Sequence, residues 1–281
     1  MEILPLSLSR FLATSRLPLK YKLFNSLKNR NLLNYAIPYP FHDRIIEAPA
    51  DQWYFWKNCG VETYQVGRLK LFSALLNDRF GPFDLLDLGA DIGIVSNQIS
   101  YFCPGLQSVI AAEPNPLSFS YLEKNLKSIG VPATAMNVAI SDSNRTANLI
   151  FDEKSQSDHS GYINLDTPGN TLVQKIDSIY NGEANDLAIK IDIEGQELAA
   201  IKGGEITIRS KKNIGLFLEI HRNVVDRTNI SPENIFSAVE KIRPCEWFLA
   251  ESDTPKVDRN RRFFEQFPHV RQHDVIGFMK A

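Results

Sequence analysis

From about Val61 onward, short apolar runs alternate with longer stretches in which apolar residues recur at helical spacing. Strands separated by helices pair in parallel, and helices must then cover both faces of the sheet. The sequence therefore predicts an α/β fold over residues 61–281, with a doubly wound and mostly parallel sheet. The predicted strands are residues 83–88, 108–112, 134–138, 187–193, 214–220, 247–250 and 275–279, and a polar hairpin or loop insertion is predicted over 148–166.

Residues 1–60 differ in composition and are predicted to form an N-terminal extension. Up to Arg30 the only acidic residue is Glu2, against six basic residues. This extension is interpreted as a solvated segment that packs on the domain, or as an arm that contacts a membrane surface or a partner. The aromatic run at 53–56 is expected to pack in the core or in a lid, and a sugar-stacking platform is the alternative.

The overall composition excludes several classes of protein. The chain has 281 residues, with 31 basic and 33 acidic residues and a net charge of −2, so no basic field attracts nucleic acid. Its three cysteines form no C-x-x-C pair, which disfavours a cysteine zinc site or a disulfide framework. No apolar run reaches the ~20 residues that span a bilayer. We therefore expect a cytoplasmic protein.

The loop after the first predicted strand has the sequence DLGADIG, residues 87–93. In doubly wound sheets, ligands bind next to this strand–helix turn. The glycines have the spacing Gly-x-x-x-Gly, and Asp91 takes the place of the middle glycine of a dinucleotide site. A carboxylate there repels a pyrophosphate but suits a ligand with an amine and a sulfonium. The pattern favours S-adenosylmethionine over NAD.

Acidic residues also follow other predicted strands. Glu113 ends the second strand, where a carboxylate accepts hydrogen bonds from both ribose hydroxyls of a nucleoside, although a solvated strand-end glutamate gives the same pattern. In residues 188–194, Lys190, Asp192 and Glu194 alternate with isoleucines. Since burying unpaired charge costs several kcal/mol, we expect these charges at the carboxyl end of the strand, facing a cleft. A structural Lys190–Asp192 ion pair is the alternative.

The predicted strand at 214–220 repeats this pattern, with Glu219 near its end and His221 just beyond it. A single histidine is usually structural. Here it stands beside a second acidic strand end, so we also consider it as a catalytic group.

These segments together resemble the FkbM family of methyltransferases, which have the class I fold. The matching motifs run from about residue 84 to residue 221, and the Lys-x-Asp-x-Glu-Gly-x-Glu block is the most specific of them. The family usually has Asn where this chain has Asp91, and the extra carboxylate is expected to tighten contact with the methionine amine or to alter ligand preference. The motifs are DLGADIG (87–93), AAEPNP (111–116), NVAISD (137–142), TLVQKIDSI (171–179), IKIDIEGQELAAIKGG (189–204) and FLEIH (217–221).

The resemblance implies a Rossmann-like sheet of seven strands with the last one antiparallel, and S-adenosylmethionine as cofactor. It places Asp87, Gly89, Ala90, Asp91 and Gly93 around the methionine end of the cofactor. By the same resemblance the ribose is held by Glu113 with Pro114 beside it, and the adenine by Asn137, Val138 and Ala139. The methyl group and its acceptor are then expected to face Asp192, Lys190, Glu194, Glu219 and His221.

Methyl transfer to a neutral hydroxyl requires a base, and Asp192 and His221 are the two candidates. The side chains of Asp192, Glu194, Glu219 and His221 are also a possible set of ligands for a divalent metal, which is the less favoured interpretation. Family members commonly methylate hydroxyls of sugars, glycans or natural products, so the resemblance implies a small-molecule or glycan acceptor. The alternatives are an NAD-dependent oxidoreductase or epimerase, and a non-catalytic nucleoside-binding protein of the same fold.

Overall fold

The computed structural model describes residues 5–151, 161–251, 253–268 and 272–280. The N-terminal segment contains three helices and a two-stranded antiparallel hairpin, none of which was predicted from the sequence. Its core is built largely of aromatic and aliphatic side chains, among them the fully buried Trp56 and Tyr39. The elements are α1 (Leu6–Thr14), α2 (Lys20–Asn29), β1 (Ala36–Phe41), β2 (Arg44–Pro49) and α3 (Trp53–Lys57).

The N-terminal segment packs on the elements that follow it. Its hydrophobic cluster includes Ile92 and Ile94, which lie just after the first strand of the large sheet. The Asn125 side chain accepts a hydrogen bond from the backbone N–H of Glu47 and donates one to the Glu47 carbonyl, at 2.9 Å each. A buried polar side chain that satisfies both backbone groups fixes the hairpin in register against its neighbour.

The rest of the chain alternates strands and helices in the predicted order. The helix that begins at Pro116 ends at Asn125 and continues as a 3-10 turn over Leu126–Ser128. The elements are α4 (Val66–Arg79), β3 (Phe83–Leu88), α5 (Ile94–Phe102), β4 (Leu106–Ala112), α6 (Pro116–Asn125), β5 (Ala133–Met136), β6 (Ala139–Ile140), β7 (Arg145–Phe151), β8 (Gly161–Asn164), β9 (Thr171–Gln174), α7 (Ile176–Ile179), β10 (Asp186–Ile191), α8 (Glu197–Gly203), α9 (Glu205–Ser210), β11 (Asn213–His221), α10 (Arg222–Thr228), α11 (Pro232–Ile242), β12 (Glu246–Leu249), α12 (Phe263–Gln266) and β13 (Gln272–Met279).

Seven strands form the large sheet in the order β12-β13-β11-β10-β3-β4-β5. The pairs from β11 to β5 are parallel, whereas β13 runs antiparallel to both of its neighbours. The predicted fold, a mostly parallel seven-stranded sheet whose last strand is antiparallel, is confirmed. Every residue of the central strands β3 and β10 is buried, because helices cover both faces of the sheet.

Local sequence signals set the ends of several helices. Ser231 and Asn234 form a capping box at the start of α11, and Pro232 occupies the first turn, where its missing N–H costs nothing. The Asn115 side chain accepts from the Leu117 N–H and caps α6 in the same way. Both capped helices follow loops at the edge of the sheet, so these signals also fix where the loops end.

A smaller four-stranded sheet, in the order β6-β9-β7-β8, lies between β5 and β10 in the chain. The predicted hairpin is present: β7 and β8 pair antiparallel, with Phe151 opposite Gly161. Its connecting residues, 152–160, lie outside the described part of the chain. The strand β9, which completes this sheet, was not predicted. Among the described residues, no helix combines the length and apolar character needed to cross a membrane.

Candidate active site

A cavity opens at the carboxyl ends of β3, β4, β10 and β11, where ligands bind in sheets of this kind. Among the described residues, five acidic side chains face it, and His221 is the one basic side chain of its lining. The apolar part of the wall comes from the segment around β6 and from the hairpin strand β8. The lining residues are Tyr64, Gly89, Asp91, Glu113, Pro114, Val138, Ala139, Ile140, Gly161, Ile163, Asp192, Ile193, Glu194, Gln196, Glu219 and His221.

The loop after β3 turns sharply beneath the cavity. Gly89 has φ +72°, and a Cβ built on it would stand 1.7 Å from the carbonyl oxygen of Asp192. The contact between this loop and the end of β10 therefore requires a glycine at this position, which also lines the cavity. Gly93, with φ +84°, begins α5, where a Cβ would meet a Leu122 methyl group at 2.9 Å. It serves helix packing and does not line the cavity.

Glu113 connects two of the loops that surround the cavity. Its carboxylate accepts hydrogen bonds from the backbone N–H groups of Asp91, at 2.9 Å, and Asn115, at 2.8 Å. Burial, followed by the nearby charge of Asp91, raises the pKa of Glu113 to about 7. Asn137 supports the same corner by donating to the carbonyls of Glu113 and Pro114. The strand-end carboxylate predicted from sequence is thus buried and ordered by the backbone around it.

Lys190 lies below the cavity floor. Its ammonium is 3.6 Å from a carboxylate oxygen of Asp87 and 3.6 Å from one of Asp192, and it also donates to the carbonyl of Gly89. Burial lowers the pKa of Lys190, but the carboxylates of Asp192 and Asp87 outweigh it and raise the pKa above its usual value. Lys190 therefore links the ends of β3 and β10, and the Lys190–Asp192 ion pair considered from sequence is present.

Glu219, His221 and Asp192 form a polar cluster on one side of the cavity. The His221 Nε2 atom lies 3.0 Å from a Glu219 carboxylate oxygen, and Glu219 also accepts from the side chains of Gln65 and Gln272. Burial lowers the pKa of His221, but the hydrogen bond and charge of Glu219, followed by the charge of Asp192, raise it to about 9. Burial and the charge of Asp192 raise the pKa of Glu219 to about 8.

The same three residues meet the distance requirement for a metal site, since one donor atom from each lies within 4.8 Å of the others. One carboxylate oxygen of Glu219 is, however, already shared between His221 and Gln272. A metal would have to displace these partners. The geometry therefore matches a hydrogen-bonded histidine–carboxylate pair more closely than a preformed set of metal ligands.

Ten of the fifteen residues predicted for the site line the cavity. The other five lie behind it: Asp87 accepts from Ser96 and pairs with Lys190, and the remaining three hold loops or pack in the core. Those five are Asp87, Ala90, Gly93, Asn137 and Lys190. The expectation that Lys190 faces the acceptor does not match its place beneath the floor, because its charge is used between two carboxylates.

Several lining residues were not predicted from the sequence. Tyr64 precedes the domain's first helix and makes an edge contact with Tyr54 at 5.1 Å between ring centroids. Gln196 accepts a hydrogen bond from Ser141, and Gly161 and Ile163 come from β8. Gln196 had a sequence signal because it lies inside the IKIDIEGQE motif, as does Ile193, and Ile140 lies inside the NVAISD motif. Tyr64, Gly161 and Ile163 come from segments that no motif marks.

Comparison with known proteins identifies the family. The model of the methyltransferase FkbM domain matches residues 87–273, about two thirds of the chain. The chain belongs to the FkbM methyltransferase family. The resemblance inferred from the motifs is thus confirmed, and the cavity lies within the FkbM domain except for Tyr64. A search of curated protein sequences gave no match.

Solved structures similar to this FkbM domain include two methyltransferases. A methyltransferase FkbM from Methylobacillus flagellatus KT is similar at 20% identity and a TM-score of 0.50, over 80% of this chain and 52% of that one. The chain thus spans about half the length of that relative. An S-adenosylmethionine-dependent methyltransferase from Clostridium acetobutylicum matches at 9% identity and a TM-score of 0.43, over 78% of this chain and 92% of the other.

Proposed function

We propose that this methyltransferase takes its methyl group from S-adenosylmethionine and transfers it to a hydroxyl of a sugar, glycan or related natural product. The observation that carries the proposal is the charge of the cavity: in the part of the chain that the structure describes, five carboxyl side chains line it against one histidine. A donor with an ammonium and a sulfonium relieves the repulsion among these carboxylates, whereas a pyrophosphate increases it. The five are Asp91, Glu113, Asp192, Glu194 and Glu219.

The cavity walls suggest how this donor is oriented. Asp91 stands at the loop after β3, where the methionine end is expected, and Glu113 stands at the end of β4, where the ribose is expected. Val138 and Ala139 supply an apolar surface for the adenine ring. Asp87 and Lys190 hold the loop and the end of β10 from below. On this arrangement Asp192 and His221 would stand at the reacting end of the donor.

The bound donor supplies an activated methyl group, so the protein has to position the acceptor and remove one proton. The acceptor oxygen bonds to the methyl carbon as the carbon–sulfur bond breaks, leaving a methyl ether and S-adenosylhomocysteine. We assign the base to His221, because Glu219 holds its Nε2 atom and leaves Nδ1 to take the proton from the hydroxyl. Asp192 is assigned to orient the acceptor hydroxyl and to stabilise the imidazolium that forms.

Aromatic rings at the cavity support a saccharide-like acceptor. Tyr64 lines the cavity, and the neighbouring Tyr54 is 42% exposed although it belongs to a helix whose Phe55 and Trp56 are buried. A flat, partly solvated ring offers the apolar face and polar edge that a sugar ring requires. In the aromatic run, Phe55 and Trp56 are buried as core packing predicts, and the exposed Tyr54 supports the proposal of a sugar-stacking surface.

Calorimetry with S-adenosylhomocysteine and with NAD tests the cofactor assignment. We expect micromolar binding of the first and none of the second. The Asp91→Asn variant keeps a residue that tolerates the left-handed backbone at φ +47° but removes the charge, so its affinity should fall about tenfold, equivalent to ~1.4 kcal/mol. Binding of NAD in place of S-adenosylhomocysteine would refute the proposal.

Transfer is tested with S-adenosylmethionine labelled in its methyl group and a panel of mono- and oligosaccharides. His221→Gln and Asp192→Asn should retain affinity for S-adenosylhomocysteine while transfer falls at least ~100-fold. Glu62→Gln, an exposed carboxylate outside the cavity lining, is the matched control and should leave transfer unchanged. Normal transfer by His221→Gln would overturn the base assignment, and equal transfer with and without EDTA would argue against a metal.

A further inference from the structure

The helices α1 and α2 present large apolar side chains to solvent. In the described part of the chain, six of the thirteen exposed large hydrophobic residues fall between positions 6 and 23. Scattered single residues of this kind are normal on protein surfaces, but a concentration of them marks a binding surface. The six are Leu6 (49% exposed), Leu8 (43%), Phe11 (59%), Leu19 (70%), Tyr21 (42%) and Leu23 (36%), and we call them the apolar patch.

Helix α1 turns three of its four large apolar residues outward. Leu6, Leu8 and Phe11 are exposed, whereas Leu12 packs against the buried cluster beside the fully buried Ser9 and Ala13. A helix that packs only for stability turns its large apolar residues inward. This distribution indicates that the outward face of α1 is used for binding.

The patch belongs to a well-packed unit. The buried Lys20 ammonium donates to the carbonyls of Ala13 and Ser15, at 2.7 Å each, and so closes the turn between the two helices. On the inner side of α2, the Phe24 ring lies 5.3 Å from the rings of both Trp53 and Trp56. The apolar residues are therefore held outward by a fixed framework and require no folding step to bind.

The charge around the patch has one sign. Residues 5–30 contain six basic and no acidic residues, whereas the remainder of the chain has a net charge of −8. With Lys20 used internally, four of the other five, Arg10, Arg16, Lys22 and Arg30, have exposed side chains. A second copy of the chain would bring like charges together in a symmetric interface. An anionic lipid surface instead pairs with both the charge and the apolar side chains.

The patch also lies close to the candidate active site. Tyr21 of α2 makes an edge contact with Trp53 of α3, at 4.8 Å between ring centroids. The next residue of α3, Tyr54, contacts Tyr64, which lines the cavity. The five-residue helix α3 thus separates the patch from the cavity wall.

We propose that α1 and α2 form a docking surface for anionic membranes. The basic side chains contact lipid headgroups, and Phe11, Leu19 and their apolar neighbours insert into the interfacial layer. The cavity is then held next to the membrane surface. Docking does not depend on which methyl donor or acceptor the cavity binds.

Vesicle co-sedimentation of the full chain tests this proposal. It should bind vesicles that contain phosphatidylglycerol, bind vesicles of phosphatidylcholine alone much more weakly, and lose binding as salt rises. Phe11→Ser with Leu19→Ser should reduce vesicle binding at least ~10-fold. Arg16→Gln with Lys22→Gln should reduce it ~25-fold, since each basic residue near an anionic surface contributes ~fivefold. All four side chains are exposed, so urea unfolding of these variants should match that of the parent protein.

Matched substitutions outside the patch provide the controls. Ile206→Ser, at a residue that is 72% exposed on α9, and Lys127→Gln should leave vesicle binding unchanged. Equal binding of the parent protein and the patch variants would overturn the proposal. Failure of the parent protein to bind anionic vesicles would also overturn it. One such result would be a parent protein that sediments as a dimer and becomes a monomer in the variant Phe11→Ser with Leu19→Ser.

Discussion

Replacing Lys190 by Met should destabilise the fold more than any surface substitution, because it removes the cation between two carboxylates. Asp87 is fully buried and Asp192 has a side chain that is 22% exposed, and each lies 3.6 Å from the ammonium. At an effective dielectric constant of about 20, each contact corresponds to ~4–5 kcal/mol of Coulomb energy. Desolvation of the charges offsets most of this gain in the intact protein, but the variant leaves Asp87 buried without its cation.

We therefore expect Lys190→Met to lower the free energy of unfolding by about 3–5 kcal/mol. Equilibrium urea unfolding, followed by tryptophan fluorescence, measures this directly. Lys127→Met, at an exposed position on the 3-10 turn after α6, should change the same quantity by less than about 0.5 kcal/mol. Adding Asp87→Asn to the Lys190→Met variant should recover about 1–3 kcal/mol, because the orphaned charge is then removed.

Two outcomes would refute this reasoning. A loss below about 1 kcal/mol in Lys190→Met would mean that the floor of the cavity does not depend on the ion pair. Additive effects of Lys190→Met and Asp87→Asn would show that the two side chains are not coupled.

Three further predictions concern the cavity. Because His221 must lose its proton before it acts as a base, kcat/KM should rise with pH toward about 9. Glu219→Gln should move this rise to lower pH, since Glu219 is the main group that raises the pKa of His221. A pH–rate profile in which the rise does not move would contradict the pairing. Gly89→Ala should abolish S-adenosylhomocysteine binding or folding, since its Cβ meets the Asp192 carbonyl. Gly130→Ala, also at positive φ but with nothing within 4 Å, should lower the free energy of unfolding in urea by only about 1 kcal/mol. Similar losses of unfolding free energy in the two variants would refute the steric argument. Tyr64→Phe should keep the fold but lower kcat/KM about tenfold in the transfer assay. Burial, followed by the charges of Glu219 and Asp192, raises the pKa of Tyr64, so its hydroxyl stays a hydrogen-bond donor. Unchanged kinetics would show that Tyr64 does not act in the site.

The central strands were predicted correctly because their composition reports their environment. In β3 and β10 eight of the twelve residues are apolar, as expected for strands covered on both faces, and the four charged residues lie within the first or last two positions of their strands. The carboxyl ends of parallel strands meet at one edge of a sheet, so the sequence predicts that Asp91, Glu113 and Asp192 lie together, and all three line the cavity. Periodicity and topology were sufficient for this much of the site.

The N-terminal segment shows where such reasoning stops. Its hairpin contains Pro38 and Pro40 within β1, and prolines argue against a strand when the sequence is considered alone. The hairpin has two strands, so the N–H that each proline lacks need not interrupt the hydrogen bonds between them. A buried cluster of aromatic side chains holds the hairpin in place. Contacts between residues far apart in the chain decided its structure, and no local pattern records them.

The sequence by itself determined the alternation of strands and helices and the edge of the sheet at which charged residues gather, because hydrophobic periodicity and chain connectivity are local properties. Only the tertiary structure decided which of those charges face the cavity and which support it from below. Lys190 and Asp192 are two residues apart on the same side of the strand, yet one is buried among carboxylates and the other lines the cavity. The distinction depends on how the loop after β3 crosses the end of β10, and thus on distances between side chains that a one-dimensional pattern does not contain.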